Sequence, residues 1–214
     1  MTLTTYAGLS TGVYRRLNRT AVTNDYNDAL ELAEAEINRR LALAPVRPMH
    51  TRASATLNAE YYASPTGILD VDSLAIDGDP ILATTPQNIQ RMFEADDSTG
   101  QPRFYAQVGT EFRLHPAPDQ SYTGALTYWA KVPGLTSVAT TNWLSLAHPD
   151  VYFHGVLAHL AQEYFDEKMA ETQAALFDIA LQKVLSAYPR RPDRAPRVDQ
   201  DLMFGRNGFN VFTG

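Results

Sequence analysis

Proline placement constrains this chain more than any other feature, because proline breaks both helix interiors and central strands. Residues 1–44 contain none, the span from Pro45 to Pro149 contains ten, and the next is Pro189. Both ends are free to form long helices, and the middle is not. In the first part, NDYNDALELAEAEINRRLALA places Leu30, Ala33, Ile37 and Leu41 at helical spacing, with Asp25, Asp28 and Glu31 early and Arg39 and Arg40 late. Acids near the start and bases near the end suit the helix macrodipole, so a helix is predicted over about 24–43. A shorter helix carrying Tyr6, Leu9, Val13 and Leu17 precedes it, with Asn18 to Thr23 as the turn. Residues 149–188 predict two helices, over about 149–165 and 169–187, with one long bent helix as the alternative. Phe177, Leu181, Val184 and Leu185 form the apolar face of the second.

The proline-rich middle reads as short strands: GILDVDSLAI, RFYAQVG, TEFRLHPAP and YTGALTYWAKV. Gly109-Thr110 separates two of them as a hairpin turn, and the last alternates Tyr122, Gly124, Leu126 and Tyr128 against Thr123, Ala125, Thr127 and Trp129. A small antiparallel β-module of roughly four strands is expected. Thr85 as N-cap and Pro86 at the first helical position place one short helix between the first and second strands. The expected fold class is thus α+β: N-terminal helices plus a C-terminal helical hairpin or long helix, with the β-module inserted. The boundaries fall at 1–45, 46–148, 149–188 and a final segment, 189–214.

With no cysteine there is no disulfide, thiolate metal site or cysteine nucleophile. The net charge of −6 is uneven: residues 1–188 hold 13 Lys+Arg against 21 Asp+Glu, and 189–214 hold five Arg against three Asp. An acidic body repels phosphate, which argues against tight nucleic-acid binding. No run approaches the roughly 18 apolar residues of a membrane span, and MTLTTYAGLSTGVYRRLNRT lacks a signal-like apolar core. A protein used without export or membrane insertion is expected.

Candidate chemistry is sparse. LAHPDVYFHGVLAHLAQEYF brings His148, His154 and His159 together with Asp150 and Glu163, yet on a helix His154 and His159 differ by roughly 140° and cannot meet one ion. Phe153, Val156, Leu157, Leu160 and Tyr164 share a stripe, so this is read as a core-facing helix. DVDSLAIDGD fails as a calcium loop, because counting from Asp70 a ligand position holds Leu74 and the required glycine position holds Ala75. Glu34 and Glu36 lie two apart and point to different sides, so they make no acid/base pair. Ser10, Ser145 and Ser186 are isolated, and neither a phosphate-binding glycine loop nor a nucleophile elbow is present. No catalytic residue, metal or cofactor is predicted, and an enzyme is disfavoured.

The last 26 residues, PRRPDRAPRVDQDLMFGRNGFNVFTG, combine three prolines and five arginines with an apolar tip. This composition reads as an extended arm that orders on a partner. Its candidate contact residues are Arg190, Arg191, Arg194 and Arg197, which would pair with acidic groups, and Met203, Phe204, Phe209 and Phe212, which would anchor it.

The order and spacing of LNRTAVTNDYNDALELAEAEINRRLAL, GQPRFYAQVGTEFRLHPAPDQSYTGALTYWAKVPGL and TNWLSLAHPDVYFHGVLAHLAQEYFDEKMA resemble the head-to-tail adaptor (connector, head-completion) proteins of tailed bacteriophages. The most specific pieces are the Ala-Glu-x-x-Ile-Asn-Arg-Arg-Leu helix end, Pro-Arg-Phe-Tyr-Ala followed by Leu-His-Pro-Ala-Pro, and Asn142-Trp143-Leu144. The resemblance implies a helical adaptor core with a β-insertion, assembled as a ring of twelve in the virion neck. Its partners would be the portal protein above and tail or tail-nozzle proteins below. A ring that lets DNA pass benefits from an acidic body, and a cysteine-free subunit suits assembly in a reducing host cytoplasm. Two other readings stay open: a DNA-binding packaging factor using the arginines of the tail, and a tail-associated cell-wall hydrolase, for which no convergent carboxylate pair is found.

Overall fold

The computed structural model describes residues 2–188. Helix α1 spans Tyr6–Leu17 and α2 spans Thr23–Leu43. Thr5 caps α1 by accepting the Gly8 N–H at 3.1 Å, and Asn18 ends it in a left-handed conformation at φ 52°, where asparagine is well tolerated. A single 3₁₀ turn, Arg47–Met49, then leads into the strands. These are β1 (His50–Leu57), β2 (Tyr61–Ala63), β3 (Ile68–Ile76) and β4 (Asp79–Ala83); helix α3 (Pro86–Ala95) intervenes before β5 (Phe104–Val108), β6 (Glu111–His115) and β7 (Tyr122–Ala130). Three helices close the described chain: α4 (Trp143–Ala147), α5 (Pro149–Glu163) and α6 (Glu167–Ala187).

The strands form one seven-stranded sheet in the order β1-β7-β3-β4-β5-β6-β2. Its two edges, β1 and β2, are consecutive in sequence with three residues between them, so the sheet must curl until its edges nearly meet. The result is a nearly closed, barrel-like sheet. Most pairings are antiparallel, but β4 and β5 run parallel, joined by α3 as the crossover that a parallel pair requires.

This overturns the expected α+β architecture of a helical core carrying a small antiparallel module of about four strands. The fold is mixed α/β, the sheet is nearly twice that size, and it is not purely antiparallel. Two of the strands absent from the sequence reading, β1 and β4, each have a physical reason. Along β1, HTRASATL, only Leu57 is buried, so an edge strand with small and polar residues on both faces shows no alternation. In β4, Pro80 pairs with Ala75 near the start of the strand, before the pairing with β5 begins at Leu82, a place where a missing N–H is tolerated. DVDSLAIDGD, which superficially suggested a calcium loop, is β3 and its turn into β4; Asp77 and Gly78 take positive φ there, as a tight hairpin demands.

Two apolar clusters hold the structure. The barrel interior contains Leu57, Leu74, Ile76, Tyr105, Phe112, Leu114, Tyr122, Leu126 and Tyr128. Gly124 leaves the space that Leu57 fills, since a β-carbon there would sit 2.5 Å from Leu57 Cδ1. The helical cluster is larger and centres on α5, which buries Val151, Tyr152, Gly155, Val156, Leu157, Leu160 and Ala161. That is more of its circumference than the single predicted stripe, because α1, α2, α4 and α6 all pack against it. Val132 and Leu135, just after β7, enter the same cluster. The connector from sheet to helices is therefore itself core.

Candidate functional site

That connector, residues 131–142, is where sheet and helices are locked together. A chain leaving β7 has unpaired backbone groups, and α2 supplies partners for them from one polar stripe. Asn38 accepts the Val132 N–H through Oδ1 at 2.8 Å and donates from Nδ2 to the Val132 carbonyl at 3.4 Å. One turn earlier, Glu34 Oε1 accepts the Leu135 N–H at 2.6 Å. Residues four apart on a helix lie one above the other, so two side chains together imitate a strand edge. Gly134 permits the approach: a β-carbon there would lie 2.9 Å from Glu34 Oε2. The Tyr6 N–H donates to the Thr140 carbonyl at 2.9 Å, tying the start of α1 to the same connector.

Asn142 ends the connector, and both polar atoms of its side chain are bonded. Its Oδ1 accepts the Ser145 N–H at 2.8 Å, and its own N–H donates to Ser145 Oγ at 3.0 Å, a reciprocal cap for α4. Its Nδ2 donates to the Pro133 carbonyl at 2.5 Å and to Tyr152 Oη at 2.7 Å. Both Asn142 and Tyr152 are buried, and burial pushes the Tyr152 phenol well above its ordinary range.

Beside this junction lies a cleft of about 290 Å³ lined by Tyr6, Asn27, Leu30, Glu31, Glu34 and residues 135–137. Desolvation pushes the Glu34 carboxyl up to about 7, against the lowering effect of the Leu135 N–H, and the nearby Glu31 charge adds to the rise. Because the folded value exceeds the unfolded one of 4.5, folding takes up a proton. The stability this gives is complete below about 4.5 and is lost as pH rises through about 7. Glu34→Gln keeps an acceptor for Leu135 and removes the charge. It is expected to stabilise the chain by about 2 kcal/mol near pH 8 and by almost nothing near pH 4, as read by urea unfolding at both values. A shifted carboxyl in a cleft can mark a general acid, but one oxygen of Glu34 is already committed to the backbone.

The sequence-predicted candidates do not converge. His148 starts α5 and meets Tyr188 edge-on at 5.7 Å. His154 Nδ1 lies 2.8 Å from Oε1 of the buried Gln173, and His159 is half-buried beside Glu36, its pKa lowered by desolvation. The three imidazoles have three different neighbours. Glu36 points away from Glu34 and bonds Arg40, which continues to Asp178 of α6 at 2.6 Å; the Arg40 bond holds the Glu36 carboxyl below its ordinary range. Ser145 is the cap partner and Ser186 donates to the Lys183 carbonyl. Among the described residues no cluster of three or more His, Cys, Asp or Glu could hold a metal ion, and no helix is long and apolar enough to cross a membrane. The arm candidates Arg190, Arg191, Arg194, Arg197, Met203, Phe204, Phe209 and Phe212 lie outside the described residues. What sequence reasoning missed is the Glu34 and Asn38 stripe; its only local signal is a polar i,i+4 pair flanking an apolar face.

The junction is thus built from packing and capping residues: Glu34, Asn38 and Asn142 all spend their side chains on backbone or capping bonds. Residues 4–200 match the family model described as SU10 adaptor protein. The chain belongs to the SU10 adaptor protein family. No curated protein matches it. As an SU10 adaptor it is a phage structural adaptor protein, a component of the virion neck that works with portal and tail proteins. The resemblance to head-to-tail adaptors is thereby confirmed. The SU10 match extends past the described residues through Arg190, Arg191, Arg194 and Arg197, and ends before Met203, Phe204, Phe209 and Phe212.

Proposed function

We propose that this adaptor forms a ring of twelve beneath the portal, lets DNA pass through its centre without reading sequence, and offers the tail its docking site. The observation that carries the reading is the family match across residues 4–200. The acidic body supports it, with 13 basic against 21 acidic residues over 1–188, because a channel wall that repels phosphate does not hold the DNA it conducts. In this reading 1–45 with 149–188 and the inserted 46–148 are the working divisions of the subunit, and 189–214 is an arm that staples it to the neighbouring ring. Arg190, Arg191, Arg194 and Arg197 meet acidic groups of the portal, each worth about 0–1 kcal/mol if exposed. Met203, Phe204, Phe209 and Phe212 are its anchors; truncating a buried aromatic at an interface typically costs about 2 kcal/mol or more.

The test is a chain cut after Tyr188. It is expected to keep its melting temperature, since both apolar clusters lie within the described residues, yet fail to attach to portal-bearing heads, leaving them tailless or leaking DNA. Attachment equal to that of the full chain overturns the role of the arm. Salt-dependent DNA binding by the full chain, lost in the cut one, favours the packaging-factor reading instead.

A further inference from the structure

Phe165 sits in the turn between α5 and α6, 93% exposed and with φ at 59°. A left-handed backbone is strained for a bulky side chain, and this position is where glycine ordinarily ends a helix. The turn is otherwise regular: Phe165 N–H bonds the Gln162 carbonyl at 3.1 Å and Asp166 N–H bonds the Ala161 carbonyl at 2.8 Å, the paired bonds of a Schellman ending. Its base is braced. Tyr164 donates to Asp25 Oδ2 at 2.7 Å, and the Arg19 guanidinium lies 4.2 Å from the Tyr164 ring centre. An aromatic ring is therefore held in solvent, at a conformational cost, on a rigid support. Around it stand the exposed acids Glu163, Asp166 and Glu167.

The converse shape exists elsewhere on the same chain. A groove of about 330 Å³ between α1 and α5 has Leu3, Gly12 and Phe153 as its apolar floor and Arg15 and Arg16 on its rim. Gly12 lets that floor form, because Leu3 packs directly onto it: a β-carbon there would lie 2.4 Å from Leu3 Cδ2. Residues 1–24 carry three arginines and no acidic residue, and neither Arg15 nor Arg16 forms an ion pair among the described residues. Phe165 of the same chain cannot fill this groove. It lies twelve residues beyond Phe153 along α5, about 18 Å at the helical rise.

We infer that Phe165 and its acidic collar insert into the Arg15/Arg16 groove of a second copy of this chain. The ring enters the apolar floor, and Glu163, Asp166 and Glu167 face the two arginines, which matches shape to shape and sign to sign. Knob and groove are different surfaces, so the contact is head to tail and repeats from copy to copy, the arrangement from which rings are built. The inference deepens the ring reading proposed above and rests on it for closure.

The chain has no cysteine, so Thr11→Cys with Lys168→Cys introduces its only thiols, one turn from the groove rim and one turn from the knob. A bismaleimide linker is expected to give a ladder of linked copies from the full chain, either free at high concentration or on portal-bearing heads. Adding Phe165→Gly removes the knob and relieves the backbone, so the ladder should fall about tenfold or more while the melting temperature stays level or rises. A residue with only a structural role would lower it. Arg15→Glu with Arg16→Glu should also remove the ladder, and Glu163→Arg with Glu167→Arg on the partner copy should restore it. No ladder in either setting overturns the contact, as does a ladder that survives Phe165→Gly. A ladder that survives Phe165→Gly and disappears on cutting after Tyr188 assigns the groove to the arm. The adaptor reading is judged separately, by whether the unmodified chain attaches to heads.

Discussion

Asn142→Ala is expected to destabilise the chain by about 4 kcal/mol, a large share of the roughly 5–15 kcal/mol that holds a domain folded. Three losses add up. The cap of α4 disappears, worth about 1 kcal/mol. The Pro133 carbonyl and Tyr152 Oη each lose the Nδ2 donor that reaches them at 2.5 and 2.7 Å, and an unsatisfied buried polar group costs about 1–3 kcal/mol. Tyr152 is 1% exposed, so water does not replace the lost partner. Urea unfolding of the variant checks the magnitude. Asn142→Asp separates the contributions: it keeps the cap, and the Tyr152 hydroxyl can turn to donate, but a carboxylate then faces the Pro133 carbonyl. An intermediate loss is expected; equal losses for the two variants would place the whole effect on the Pro133 contact.

The same residue shows how far this fold was legible in the sequence. Asn142-Trp143-Leu144 stood out as part of a family resemblance, and the structure gives the physical reason: a helix cap, a half-buried ring against Tyr188 and a fully buried leucine. Helix α2 was legible because its buried residues Ala33, Ile37 and Leu41 repeat locally, and α3 because Thr85 and Pro86 mark its start. The two C-terminal helices were separable at the turn that holds Phe165. The extent of the sheet was not legible, because β1 pairs with β7 across more than sixty residues, Leu57 against Tyr122, and its own sequence carries no alternation. The Glu34 bond to Leu135 spans 101 positions and is equally invisible to local pattern. Exposure of Phe165 could not be read either, since an aromatic after an amphipathic helix reads as core. The arm residues, conspicuous by composition, lie outside the described residues and remain part of the proposal.

Gly155→Leu is expected to destabilise the chain by about 3 kcal/mol or more, although leucine is the better helix former by nearly 1 kcal/mol. Glycine in mid-helix is unfavourable by itself, so its presence on α5 needs a packing reason. That reason is a three-helix crossing: a β-carbon at Gly155 would meet Phe177 of α6 at 3.0 and 3.1 Å and the Ala33 β-carbon of α2 at 3.3 Å. Gly155 is buried and Ala33 fully so, leaving no direction in which a larger side chain can turn. The Phe177 ring cannot swing aside freely, because Arg40 lies 5.7 Å from its centre while bonded to Glu36 and Asp178. Leucine must therefore push α6 away from α2 and break the Arg40 bridge between them. Phe177→Ala alone should also destabilise, by about 3–5 kcal/mol, through the cavity it leaves. The double variant should be less damaging than the sum, because the new leucine occupies the space the phenylalanine vacates, and a favourable coupling of about 1–3 kcal/mol is expected from a double-mutant cycle in urea. Strict additivity would mean that residue 155 and Phe177 do not compete for the same volume, and that the close crossing of α2, α5 and α6 is set elsewhere.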